Sequence, residues 1–250
     1  MVGFILIPVV VLTAWEKNTR ISRVRRVNRL SFRCFVECGI WIGVFAVDVH
    51  KKSRLSTVKG ELIIANHPSL LDVVFLLAFI PSANCVVKHA LLRNPFLAMQ
   101  VYFADYILND DGTDVLKACQ ESMARGESII IFPEGTRTIE EEGIRFKRGA
   151  AYLMLVLQCL VRPIYISCKP PALGKYDPWY RIPERKIQYD ITILEAINIQ
   201  PLREAEQMGM PLKTRRLTRY LVNLYQRLNE SVPGELVECV DLAETVRSYS

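Results

Sequence analysis

Histidine is scarce in this 250-residue chain: His50, His67 and His89 are the only three. The seven cysteines form no Cys-x-x-Cys pair and have no histidine partner at metal-ligand spacing, which excludes a cysteine-based metal site. An odd count leaves one thiol over, so the expectation is reduced, mostly buried thiols in a cytosol-facing domain. No Gly-x-Ser-x-Gly is present, which removes the familiar serine-hydrolase elbow. There is no internal repeat and no low-complexity tract. The net charge of +6 suits an anionic membrane or anionic substrates, and no nucleic-acid-binding motif accompanies it. The apolar stretch at residues 1–15 lacks a positive residue ahead of it and is a poor secretory signal. At about 1.5 Å per residue it reaches roughly 22 Å, short of the ~30 Å hydrocarbon core.

What the chain does have begins with a basic run. Lys17, Arg20, Arg23, Arg25, Arg26, Arg29 and Arg33 stand together after Glu16. A second apolar stretch, residues 35–49, follows and is broken by Glu37 and Asp48. Two short apolar segments around a cationic connector suggest a helical hairpin dipping into one leaflet, with the cations on anionic lipid headgroups of the cytoplasmic face. A single short span with the other segment packed on the rest of the chain is the alternative. The expected organisation is a membrane-associated region over residues 1–50 and a catalytic domain over residues 60–232. A tail over residues 233–250 completes it.

With half its residues hydrophobic, the chain can bury a sizeable core. From residue 60 onward, short apolar runs alternate with helical patterns. Strands are expected at 62–65, 83–88, 106–108, 128–132, 163–167 and 187–194. Helices are expected at 70–80, 89–102, 115–126 and 149–160, and over the stripe from Leu217 to Leu228. This is an α/β fold, a mixed sheet flanked by helices.

The stretch Asn66-His67-Pro68-Ser69-Leu70-Leu71-Asp72 follows the first of these strands. Pro68 suits the first turn of a helix, which puts His67 at the N-cap and Asp72 on the second turn. With His67 outside the helix, its imidazole can fold back onto the carboxylate. A carboxylate on one ring nitrogen leaves the other as a proton acceptor. That is a base and its orienter without a nucleophile, so the nucleophile would be a substrate hydroxyl. A histidine merely satisfied by a neighbouring aspartate has the same spacing. A second polar turn, Pro133-Glu134-Gly135-Thr136-Arg137, also follows a buried strand, the usual place for a site in an open α/β sheet.

Asn-His-Pro-Ser-x-x-Asp followed by Phe-Pro-Glu-Gly-Thr-Arg resembles the glycerolipid acyltransferases, the 1-acylglycerol-3-phosphate acyltransferase family. Phe146-Lys147-Arg148-Gly149-Ala150 and Val161-Arg162-Pro163-Ile164 are similar to that family's later blocks. Between the His67 and Glu134 blocks the pattern departs. Lys88, Leu91 and Pro95 fit, but Ala98 stands where glycine is usual, and the run 106–110 ends without the family's arginine. The resemblance implies acyl transfer from acyl-CoA or acyl carrier protein to a lysophospholipid hydroxyl, with no metal and no other cofactor. It casts His67 as base and Asp72 as its orienter. Arg137 would anchor the acceptor phosphate, Glu134, Gly135 and Thr136 would form its turn, and Lys88, Lys147 and Arg148 would supply further cationic contacts. A different acceptor, an amino-acid lipid or aryl-lipid, stays open, as does a lipid hydrolase. A peripheral membrane protein without activity is the remaining reading.

Overall fold

In the computed structural model, residues 16–93, 95–110, 114–139, 143–177 and 183–231 are described. The expected apolar segment 1–15, the acidic loop at Glu140–Glu142, Trp179 and the tail 233–250 lie outside them. Seven strands form one sheet: β1 (Phe45–His50), β2 (Leu62–Ala65), β3 (Ala83–Lys88), β4 (Ile107–Asn109), β5 (Ser128–Ile131), β6 (Val161–Lys169) and β7 (Ile187–Ile193). Their order is β1-β7-β6-β2-β5-β3-β4. Every pair is parallel except β6–β7, so β1 and β7 run against the other five.

The helices are α1 (Lys17–Trp41), α2 (Asp72–Phe79), α3 (Pro95–Phe103), α4 (Val115–Ala124), α5 (Arg148–Val156), α6 (Gln200–Arg203) and α7 (Met210–Glu230). They cover both faces, which is why β2 and β5 are buried at every position and read as continuous apolar runs. Alternation along β2 divides the core. Ile63 and Ala65 pack with Phe75 and Leu76 of α2, while Leu62 and Ile64 pack with Met154 of α5 and Leu221 and Leu224 of α7. The leucine and tyrosine stripe of α7 is core, as its spacing implies.

The N-terminal region departs from the expected hairpin. The cationic run lies inside one continuous helix, α1. Arg25 is buried there, its Nε donating to Ala104 O at 2.7 Å, and Arg29 Nε donates to Ala78 O at 3.3 Å. These arginines cap backbone carbonyls of the α/β domain, so α1 packs across α2 instead of standing apart. Residues 35–49 split in two. Gly43, at φ +80°, ends the helical path, and Phe45 begins a strand in the catalytic sheet. Phe45 sits edge-on to Phe75 and Tyr189, with ring centroids 5.7 and 6.0 Å away. The polar stretch before Gly60 therefore lies between two strands of one sheet, β1 and β2. No helix among the described residues is long and apolar enough to cross a membrane.

Other elements shift for local reasons. Residues 89–93 form a 3-10 turn ahead of α3. α5 ends at Val156, and Asp114 caps α4, accepting from Lys117 N at 3.1 Å. Of the described cysteines, Cys34 and Cys38 are exposed on α1, Cys159 is half-buried and Cys85, Cys119 and Cys168 are buried; none of the six is in a disulfide.

Candidate active site

His67 lies where β2 leaves the sheet. Asn66 fixes that exit, its side chain donating to Ile166 O and accepting from Ile166 N, both at 2.7 Å. The pair takes the place of ladder bonds on β6 and releases the chain into an extended path. Pro68 is part of that path and not of a helix. α2 starts at Asp72, so Asp72 occupies the first turn and His67 is not its N-cap. The carboxylate turns back, Oδ2 accepting from Ser69 N at 2.7 Å. The same oxygen lies 2.9 Å from His67 Nδ1. The expected pairing therefore forms, through a turn rather than across helical positions. The imidazole stacks on Phe132 with ring centroids 4.3 Å apart. Stacked and bonded, the ring is fixed in orientation; a proton held at Nδ1 leaves Nε2 free to accept one.

The two sequence blocks grip each other. Glu134 Oε1 accepts from His67 N and from Thr138 Oγ1, each at 2.9 Å, and Thr138 N donates to His67 O at 2.7 Å. Glu134 thus orients the peptide of His67. Burial pushes the Glu134 carboxyl up from its ordinary value, and the His67 and Thr138 bonds pull against that. Burial likewise raises Asp72, which is completely enclosed, against the opposing His67 bond and charge. Its second oxygen, Oδ1, has no hydrogen-bond partner among the described residues.

Arg137 is on the same sheet edge but partly committed. Nη1 donates to Leu173 O at 2.9 Å and Gly174 O at 2.7 Å, and Nη2 to Lys175 O at 3.4 Å. A guanidinium has five N–H donors, so Nε–H and one N–H of Nη2 remain for a ligand. Leu70 N also donates to Leu173 O at 3.2 Å. The segment 173–175 therefore ties the histidine block to the arginine block. Lys147 reaches the same turn. A side chain at Gly135, where φ is +65°, would meet Lys147 Cε and Nζ at 3.1 Å. Gly135 leaves room for that cation as well as permitting the turn. Arg148 opens α5 and is exposed, Thr136 is half-buried, and Lys88 ends β3 exposed at this edge without a contact to the dyad.

Asn66 and Phe132 stand in the two sequence blocks without a role assigned there, and Thr138 and the 173–175 segment join the site without having been singled out from the sequence. Ser69, the one hydroxyl beside His67 in sequence, is fully buried, and its Oγ lies 2.8 Å from Tyr189 OH. It is spent on packing and is no nucleophile. Among the described residues no cluster of three or more His, Cys, Asp or Glu is arranged to hold a metal.

Residues 46–167 match the family model described as Acyltransferase. A 1-acyl-sn-glycerol-3-phosphate acyltransferase of Helicobacter pylori is 32% identical over 52% of this chain and 57% of its own length. A protein of the same description from Borreliella burgdorferi is 28% identical over 56% of this chain and 58% of its own. The chain thus spans little more than half the length of these curated relatives. The crystal structure of the 1-acyl-sn-glycerophosphate acyltransferase from Thermotoga maritima superposes with a TM-score of 0.57 at 18% identity. That match covers 83% of this chain and 82% of the other, a likeness of fold.

Proposed function

We propose, since residues 46–167 match the acyltransferase family model, that the chain moves a fatty acyl group from a thioester to the free hydroxyl of 1-acylglycerol-3-phosphate. The observation that carries this reading is the His67–Asp72 pair at 2.9 Å, open at Nε2, on one sheet edge with Arg137 and Lys147. His67 Nε2 takes the proton from the acceptor hydroxyl as its oxygen attacks the thioester carbonyl carbon. The charge that develops on the imidazolium is balanced by Asp72. Collapse of the tetrahedral intermediate breaks the carbon–sulfur bond, and His67 returns the proton to the departing thiolate. The donor, acyl-CoA or acyl carrier protein, is already activated, so the chemistry calls for no metal.

The acceptor phosphate meets the two unused donors of Arg137, with Lys147 across the Gly135 turn as a second cation. Thr136 and the Glu134–Gly135 turn shape that contact. Arg148 and Lys88, exposed on the same edge, meet donor or headgroup phosphates. The work is done at an anionic membrane surface on its cytoplasmic side. A second reading keeps the chemistry and changes the acceptor: β4 ends Ile107-Leu108-Asn109, without the arginine usual in the resembled family.

Purified full-length protein is given labelled acyl-CoA or acyl-loaded carrier protein and a panel of lyso-lipids. Acylated 1-acylglycerol-3-phosphate as the main product supports the first reading. Acyl transfer confined to unphosphorylated lipids supports the second. Thioester hydrolysis with no acceptor dependence overturns both.

A further inference from the structure

At the sheet edge opposite His67, the first half of α1 covers a cavity of about 560 Å³. The end of α2, the entries to β2, β3 and β5, and Tyr106 complete its walls. Five cationic side chains line it, Arg25, Arg26, Arg29, Lys59 and Arg125, against one carboxylate, Glu127. Glu127 is already taken. It lies 2.5 Å from Arg25 Nη1, accepts from Arg125 Nη2 at 3.0 Å, and accepts from Ser122 Oγ at 2.5 Å. Burial alone would raise its carboxyl; the bonds from Arg25 and Arg125 bring it below the ordinary value, so it is ionised and spent.

Among the described residues the remaining charge has no counterpart. Arg26 and Lys59 make no ion pair or hydrogen bond among the described residues, and Arg29 commits only its Nε. Positions 22, 25, 26 and 29 fall on one side of α1, so the arginines converge instead of scattering. Like charges gathered around a concavity repel, and an anion seated among them removes that cost. Leu77, Ile80 and Tyr106 add apolar wall, and the volume is that of a small-molecule site, far more than one phosphate fills.

We propose that this cavity binds an organic phosphate, its phosphate held by Arg26, Arg29 and Lys59 and its organic part laid against Leu77, Ile80 and Tyr106. The site is distinct from the His67 edge and stands whether or not the proposed acyl transfer does. A soluble phosphate ester and a phospholipid headgroup share this chemistry. The test uses full-length protein, with calorimetric titration by sn-glycerol 3-phosphate and flotation with vesicles of phosphatidylcholine and phosphatidate. Arg26→Gln/Lys59→Gln is compared with Arg23→Gln/Arg33→Gln, which removes the same charge from exposed positions of α1 outside the cavity. The cavity pair is expected to weaken binding of whichever probe is bound about tenfold or more, the control pair within about twofold. Binding of the soluble ester alone assigns a free organic phosphate; binding of vesicles alone assigns a headgroup. Equal losses in the two double variants, or no binding of either probe, overturn the proposal.

Discussion

Replacing Asp72 by asparagine should make the protein steadier and slower at once. Asp72 is completely buried, and only Oδ2 is bonded, to His67 Nδ1 at 2.9 Å and Ser69 N at 2.7 Å. Oδ1 has no partner among the described residues. Burial therefore raises the carboxyl, more than His67 and Ser69 lower it. A carboxyl whose folded pKa exceeds its unfolded one holds more protons folded than unfolded between the two values. Stability is then full below the unfolded value and falls as pH rises through the folded one. Asparagine has the same shape and no charge, and its amide oxygen can keep the Ser69 bond. The slope contributed by this site should disappear. At about pH 8 Asp72→Asn should match or exceed the wild type by about 1 kcal/mol, the cost of a buried ion with one unbonded oxygen. Catalysis should move the other way. The amide oxygen that keeps the Ser69 bond also faces His67 Nδ1, where it holds the proton but carries no charge to balance the imidazolium, a loss of about 1.5–3 kcal/mol, or roughly 10- to 150-fold in rate. Urea unfolding from about pH 4 to 8 and kcat/KM on the same preparations read both effects. A variant clearly less stable than wild type at the alkaline end, or one with wild-type turnover, would refute the reasoning.

Arg137→Ala should loosen the 173–175 segment and raise KM for a phosphorylated acceptor by roughly 10- to 150-fold, because a charge-assisted contact is worth about 1.5–3 kcal/mol. Amide exchange at residues 170–177, together with KM on phosphorylated and neutral lyso-lipids, checks it; equal losses on both acceptors would remove the phosphate role. Glu134→Gln retains an oxygen for His67 N and Thr138 Oγ1 and should stay near wild type, whereas Glu134→Ala should lower kcat by about tenfold or more as the His67 peptide shifts. Identical kinetics of the two variants would show that Glu134 does not position His67. Deleting residues 1–49 should abolish cooperative folding, since it removes Val24, Val36 and Phe45 from the core, and each buried large apolar side chain contributes about 1.5–3 kcal/mol. An unchanged melting temperature in the truncated protein would contradict this.

Much of the sheet is legible in the sequence because its central strands are covered on both faces. Leu62–Ala65 and Ile129–Ile131 are unbroken apolar runs with turns after them. The dyad is legible too, although the route to it is not: Pro68 reads as a helix start, but the Asp72 carboxylate prefers the Ser69 N–H and delays the helix. The N-terminal region misleads because arginine reads as solvent-facing. Arg25 and Arg29 each turn Nε onto a carbonyl of the domain, a use that composition does not reveal. Gly43 is the one sign that the apolar stretch 35–49 holds two elements. The 173–175 clamp acts through backbone carbonyls, which every residue has, so no side chain announces it. The Ser69–Tyr189 bond joins residues 120 apart and has no local signature.

The most direct measurement is the rate of acyl transfer from a labelled thioester to 1-acylglycerol-3-phosphate by wild type and His67→Ala at saturating donor. The ring of His67 sits on a half-buried turn, touching Phe132 and Asp72, so its loss leaves the core unchanged and folding can be checked by thermal unfolding. Loss of a positioned general base should lower the rate ~100- to 10,000-fold, and a folded His67→Ala protein keeping more than about a third of the wild-type rate would contradict the account.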